Sequence, residues 1–154
     1  MPKRRAAGLL MYRVRDGAVE VLLAHPGGPL FAKKDDGHWT IPKGEYGDDE
    51  EPLAAARREF QEETGWIAHE PFIALGEITQ KGGKVVCAWA CEGDGDVATI
   101  VSNTFEMEWP PKSGRMQAFP EVDRCGFFSL RDAERKIKEA QVPFLRALRE
   151  RLGF

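Results

Sequence analysis

Little in this chain would tie it to a membrane, a disulfide framework or a nucleic-acid backbone. No apolar run in its 154 residues approaches the roughly 18 that a spanning helix needs. No apolar core follows the basic start Lys3-Arg4-Arg5, as one would in a signal peptide. Residues 1–5 are therefore expected to form a short solubilising tail. Cys87, Cys91 and Cys125 are an odd number without CxxC spacing, and fit reduced core thiols in a cytoplasmic protein. Histidine is scarce too, and neither His25 nor His38 has a second metal-like partner at useful spacing, so both are assigned structural roles. A formal charge of −3 and a pI near 5.7 provide no cationic face for DNA. Internal repeats and low-complexity segments are absent. What is there, 42% hydrophobic and 31% charged residues, suits one soluble domain over residues 6–154, since the length is too short for two ordinary ones.

The informative stretch is residues 44–66, GEYGDDEEPLAAARREFQEETGW. On a helical wheel with Glu59 at 0°, Glu63 falls near 40° and Glu62 near 300°, an arc of roughly 100°. Ala56, Phe60 and Leu53 fall between about 60° and 120°, so an apolar stripe lies beside the acidic one. One helix can thus bury one flank and show three carboxylates along the other. A plain solvated glutamate face is the bland alternative, but like charges at i, i+3 and i, i+4 repel by a few tenths of a kcal/mol. Arg58, four residues before Glu62, is the obvious local relief. A hard cation such as Mg²⁺ or Mn²⁺ in their midst would turn repulsion into attraction. Asp48 or Asp49 is expected to cap this helix, running from about Glu50 to Thr64, with Pro52 in its first turn and Gly65 closing it.

Along the rest of the chain, Ala6–Arg13 and Val19–Ala24 are predicted strands joined by a turn at Asp16-Gly17. A turn-rich stretch from His25 to Gly37 leads to a short strand, His38–Ile41. Trp66–Ile78 and Val85–Cys91 are predicted strands around the turn Lys81-Gly82-Gly83-Lys84, and Ile100–Glu108 is a further strand candidate. Trp109–Pro120 is expected to be irregular, Val122–Phe128 a last strand, and Leu130–Lys138 and Val142–Leu152 helices, with Pro143 in the first turn of the second. Strands on both sides of one central helix, with a helical end, indicate a single α/β domain.

Gly44, Glu50, Arg58, Glu59, Phe60, Glu62, Glu63, Gly65 and Trp66 stand at the spacings of the Nudix box, so the chain resembles the Nudix (MutT-like) family. Seven fixed positions would arise by chance in such a chain with odds on the order of one in a million. The box itself covers 23 of 154 residues, and the flanking pattern extends the resemblance to most of the chain. It implies an α/β/α fold, a mixed sheet sandwiched between helices. It implies hydrolysis, by water attacking phosphorus, of a nucleoside diphosphate linked to another moiety, with Mg²⁺ or Mn²⁺ as cofactor. Glu59, Glu62 and Glu63 match the family's metal-ligand glutamates, joined by the Gly44 carbonyl. Glu59 also matches a position that can take the water's proton, and Glu50 and Arg58 match positions that orient ligands. A later acid often completes such sites. Glu121 is the candidate here, with Glu106 and Glu108 as weaker alternatives.

Trp39-Thr40-Ile41-Pro42-Lys43-Gly44 resembles the WxxPKG lead-in of Nudix enzymes that cleave dinucleoside polyphosphates such as diadenosine tetraphosphate. Lys43 and Trp39 are therefore candidate substrate-binding residues, the lysine as a point charge for phosphate. Lys33, Lys34, Lys81, Lys84, Lys112 and Arg115 could extend a polyphosphate track, and Trp109 could stack on a base. The alternatives are a nucleoside-triphosphate pyrophosphohydrolase, an enzyme of RNA 5′ pyrophosphates, which the acidic pI disfavours, and a non-catalytic nucleotide sensor, which would be expected to have lost a box glutamate. The expected partner is a nucleotide small molecule, with the chain a monomer or homodimer.

Overall fold

The layout is decided at strand β1 (Arg5–Arg15), the middle of a six-stranded mixed sheet in the computed structural model, which describes residues 4–154. Along one edge β1 runs parallel to β5 (Val85–Glu92), from Arg5 opposite Val85 to Tyr12 opposite Glu92. Its other edge is shared. The C-terminal half pairs antiparallel with β2 (Ala18–Pro26), and the N-terminal half with β3 (Lys43–Glu45), which sets Ala7 opposite Gly44. β2 then pairs with β8 (Val122–Ser129), and β4 (Ile73–Thr79) closes the far edge on β5. The parting of β2 from β3 opens a gap beside β1. It is spanned by a bridge between Ala24 and Thr40 and by the Leu9 N–H donating to the Pro42 carbonyl, 3.1 Å.

Side chains alternate along a strand, so β1 feeds two cores. Ala7, Leu9 and Met11 meet Ala55, Ala56 and Phe60 of helix α1 (Pro52–Thr64) on one face. Ala6, Leu10 and Tyr12 face the other way. They are covered by Leu130 and Ala133 of α2 (Leu130–Lys136) and by Phe144, Leu145 and Leu148 of α3 (Val142–Leu152). The sheet is sandwiched between helices, as expected. Among the described residues no helix is long and apolar enough to cross a membrane.

Several local expectations are corrected. Neither Asp48 nor Asp49 caps α1; its N-cap is Glu51, which makes no side-chain cap bond. Pro52 explains this: proline forces the residue before it out of the helical region, and Glu51 is extended at φ −71, ψ 141. Gly65 does end the helix in the left-handed conformation, φ 77, with its N–H on the Gln61 carbonyl. His38–Ile41 is no strand, because it only crosses the gap between β2 and the α2 end through isolated bridges. Residues 66–72 are not strand either. Trp66 is tied back to the helix end, its N–H on Thr64 Oγ1 and its indole on Thr99 Oγ1, and Pro71 lacks an N–H for pairing. Of Ile100–Glu108 only Thr104–Glu108 is strand (β6), and the segment beyond it is not irregular. Met116–Pro120 (β7) pairs with β6, Phe105 opposite Phe119, around a tip closed by Trp109 N–H on the Arg115 carbonyl. Pro110, Pro111 and Gly114 disguise that hairpin in the sequence. At the start of the chain Met1–Lys3 lie outside the described residues. Arg4 is ion-paired with Glu45 and Arg5 already belongs to β1, so the boundary expected after residue 5 falls earlier.

Phe60 is fully buried between α1 and the sheet. Phe60→Ala should cost about 3–5 kcal/mol through lost burial and the cavity left behind. Urea unfolding of both proteins measures this, and a loss under about 1 kcal/mol would mean that α1 is not held by this face.

Candidate active site

Burying Ala55, Ala56 and Phe60 turns the acidic arc of α1 toward β3. Gly44 meets it there. A β-carbon at this position would lie 2.0 Å from the Glu59 carboxyl carbon, so a larger residue would push the Glu59 carboxylate from the place it holds. The Lys43 backbone N–H reaches Glu63 Oε1 at 3.2 Å. Together the carboxylates of Glu59, Glu62 and Glu63 line one cavity of about 330 Å³ with Gly44.

Arg58 organises this group. Its Nε and Nη2 clasp both oxygens of Glu50 at 2.8 Å, while Nη1 reaches Glu59 at 2.8 Å and Glu62 at 2.9 Å. The hydrogen bonds to Glu50 are the main reason the guanidinium's pKa is raised, and the same bonds lower that of Glu50. Among the described residues no guanidinium or ammonium is salt-bridged to Glu63. Burial pushes its carboxyl up to about 8, with the Lys43 N–H and ammonium opposing. Burial also raises Glu59, against the pull of Arg58.

Glu121 joins the cavity through a backbone relay that starts on α1. The Glu62 carbonyl accepts the Asn103 N–H at 2.7 Å, and the Asn103 carbonyl accepts the Glu121 N–H at 2.8 Å. Asn103 itself lines the cavity and was missed in the sequence, where nothing marks a lone asparagine ahead of a strand. Lys43 and Lys84 stand at the wall, Lys84 within 3.4 Å of Glu45. Burial lowers the pKa of Lys43, and the positive charges of Lys84 and Lys138 lower it further. Such mutual repulsion makes the three lysines a place where an anion would be welcome. Lys138 was also missed, being absorbed into a predicted helix. It lines a neighbouring cleft of about 710 Å³ with Lys81, Phe31 and His38.

Other candidates lie elsewhere. Trp39 is 5% exposed in the core, its ring edge-on to His25 and Phe128 and its indole N–H on Asp35. Its ring is thus closed to a substrate, which corrects the assignment made from the lead-in motif. Glu106 and Glu108 sit on β6 away from the cavity, and Glu108 accepts the Lys112 N–H. Lys33, Lys34, Lys112 and Arg115 do not line it either.

The donor set, carboxylates with neither thiolate nor imidazole, suits a hard divalent cation, and the bare Cα of Gly44 leaves room beside Glu59. Among the described residues no three His, Cys, Asp or Glu side chains are already drawn together as a metal would hold them. Arg58 holds the oxygens of Glu59 and Glu62 instead. Glu59, Glu62 and Glu63, with the Gly44 carbonyl, are the groups that would bind the cation.

Against known proteins, the NUDIX domain model matches residues 2–148. The chain belongs to the NUDIX family. It is 34% identical over 100 residues to the asymmetrical bis(5′-nucleosyl)-tetraphosphatase of Rattus norvegicus, a match spanning 57% of this chain and 64% of that protein. Among solved structures it superposes on an Ap4A hydrolase of C. elegans in a binary complex with a TM-score of 0.63 and 27% identity, covering 98% of this chain and 99% of the other. The NUDIX domain of Shewanella oneidensis NrtR, complexed with ADP ribose, gives a TM-score of 0.67 over 99% of this chain and 90% of the other. At 14% identity that likeness is one of fold. NUDIX hydrolases generally use divalent metal ions.

Glu63 yields a pH prediction for the chelator-treated protein. Its carboxyl holds a proton more tightly when folded (about 8) than at the ordinary value of 4.5, so its contribution to stability is present below about pH 4.5 and is lost as pH rises through 8. Tm should therefore fall over that window, and Glu63→Gln should flatten the fall. An equal fall in the variant would show that Glu63 does not titrate this way.

Proposed function

We propose that the chain is a divalent-cation-dependent hydrolase that cleaves a phosphoanhydride bond in a dinucleoside polyphosphate, diadenosine tetraphosphate being the type substrate. The observation that carries this reading is the cavity in which Glu59, Glu62, Glu63 and Glu121 gather beside Gly44, with Lys43 and Lys84 on its wall. Mg²⁺ or Mn²⁺ bound there would neutralise phosphate charge and lower the pKa of a bound water. Arg58 keeps Glu59 and Glu62 beside the cavity, and a cation bound there would draw their oxygens away from its Nη1. Glu59, close to Glu121 and raised by burial, is suited to take a proton from the attacking water, with Glu121 as its partner acid. Lys43, Lys84 and Lys138 would receive the phosphates that extend beyond the carboxylates. The rat and nematode relatives support a tetraphosphate-bridged substrate, and the retention of every box glutamate in one cavity favours an enzyme over a sensor. The test is a panel of dinucleoside polyphosphates, nucleoside triphosphates, 5′-triphosphate RNA and ADP-ribose, incubated with Mg²⁺ and resolved by chromatography.

Two outcomes are expected. Glu62→Gln and Glu63→Gln should each lower kcat at least ~100-fold with the fold intact, since each removes charge at nearly constant volume. Turnover within a few-fold of wild type at saturating Mg²⁺ would sink their assignment. Lys43→Ala should impair diadenosine tetraphosphate more than ADP-ribose, chiefly through KM, because a longer phosphate chain leans more on the lysines. An equal effect on both substrates would leave Lys43 without a role in phosphate recognition.

A further inference from the structure

His25 is fully buried, yet both of its ring nitrogens are engaged by oxygens. Nε2 lies 2.6 Å from the Lys34 carbonyl and Nδ1 lies 2.8 Å from Asp123 Oδ1. A carbonyl can only accept, so Nε2 donates to Lys34, and Nδ1 and the Asp123 carboxyl are joined by a further hydrogen bond. Asp123 is partly open to solvent, and the Arg124 guanidinium stands 3.9 Å from it. Trp39 packs edge-on against that ring at 5.1 Å and in turn carries Arg124 over its own ring.

The pair sits where β2 and β8 lose register. His25 is opposite Arg124 but Pro26 is opposite Val122, so Asp123 is the extra residue of a bulge, and bulges re-aim side chains. On either side of this bulge the chain leads to the cavity. Gly27, two residues beyond His25, donates its N–H to the Glu121 carbonyl at 2.9 Å. Gly27 also passes so close to Pro120 that a β-carbon would lie 1.9 Å from its carbonyl oxygen. Glu121 is therefore held from one side by the strand end that His25 anchors, and from the other by Asn103.

We propose that the hydrogen-bonded His25–Asp123 pair is a positioning device for Glu121, pinning the β2–β8 bulge so that this carboxylate stays in the cavity. His25 and Asp123 act through Glu121 and touch no substrate. The proposal rests on the role given to Glu121 above. Through the Lys34 carbonyl, His25 also holds the far end of the 27–34 loop against the strand end that the loop leaves.

The test is a double-mutant cycle in the full chain, Asp123→Asn crossed with Glu121→Gln, assayed with Mg²⁺. Asp123→Asn should lower kcat ~10-fold in the wild-type background with KM little changed, and should have no further effect once Glu121 is Gln. Equal losses in both backgrounds would assign the pair a purely structural role and overturn the proposal, as would no loss at all. One NMR readout does not depend on turnover. The Glu121 amide should exchange at least ~10-fold faster in Asp123→Asn and in His25→Gln. Unchanged Glu121 exchange would refute the positioning. If wild type cleaves no nucleotide, the functional reading fails, and this readout still decides the proposal.

Discussion

One guanidinium stands against more carboxylate than it can neutralise. Arg58 clasps Glu50 and reaches Glu59 and Glu62, while Glu63 and Glu121 share the cavity without a salt bridge among the described residues. Carboxylates withdrawn from water and from counter-charge either keep a proton or acquire a positive partner. The response of Glu63, pushed up to about 8 by burial, expresses that deficit. Much of the surrounding architecture brings these groups together. Phe60 sets the rotation of α1, Gly44 permits β3 to pass Glu59, and the pairing of β3 with β1 sets that strand against the acidic side of α1.

The positive charge nearby lies on the wall rather than among the carboxylates. Lys43, Lys84 and Lys138 raise the local potential beside the acidic set, and burial first, then the charges of Lys84 and Lys138, weaken the hold of Lys43 on its proton. A ligand that presents a cation to one side and several phosphates to the other would relieve both strains at once. That complementarity links the fold-level likeness with the chemistry, since fold alone is shared with proteins of unlike function. Among the described residues no buried side-chain polar atom is left without a partner.

The box helix was legible because its signal is local. A glycine at the C-terminal end, a proline at the first turn and a 3.6-residue spacing of acidic and apolar positions define one element without help from the rest of the chain. The strands feeding the core were legible for the same reason, as Ala6–Arg13 falls within β1 and Val85–Cys91 within β5. What was hidden depends on partners far along the chain. Trp39 resembles a binding residue in its motif, yet its surroundings, His25 and Phe128, are fixed only once β2 and β8 pair. The β6–β7 hairpin was masked by prolines at its tip, and Asn103 and Lys138 gain their places through backbone bonds and packing that no periodicity reports. Glu121 was reached from sequence by its position before a strand, but the relay that holds it, Glu62 to Asn103 to Glu121, is visible only in three dimensions.

That the carboxylate cavity is a cation site is most directly tested by titrating Mn²⁺ into the chelator-stripped chain and following the free-ion signal by electron paramagnetic resonance. The account predicts that the protein removes Mn²⁺ from solution, that Glu63→Gln weakens this capture markedly, and that Mg²⁺ competes for it. A free-ion signal equal to that of buffer alone, at Mn²⁺ concentrations that support turnover, would contradict it.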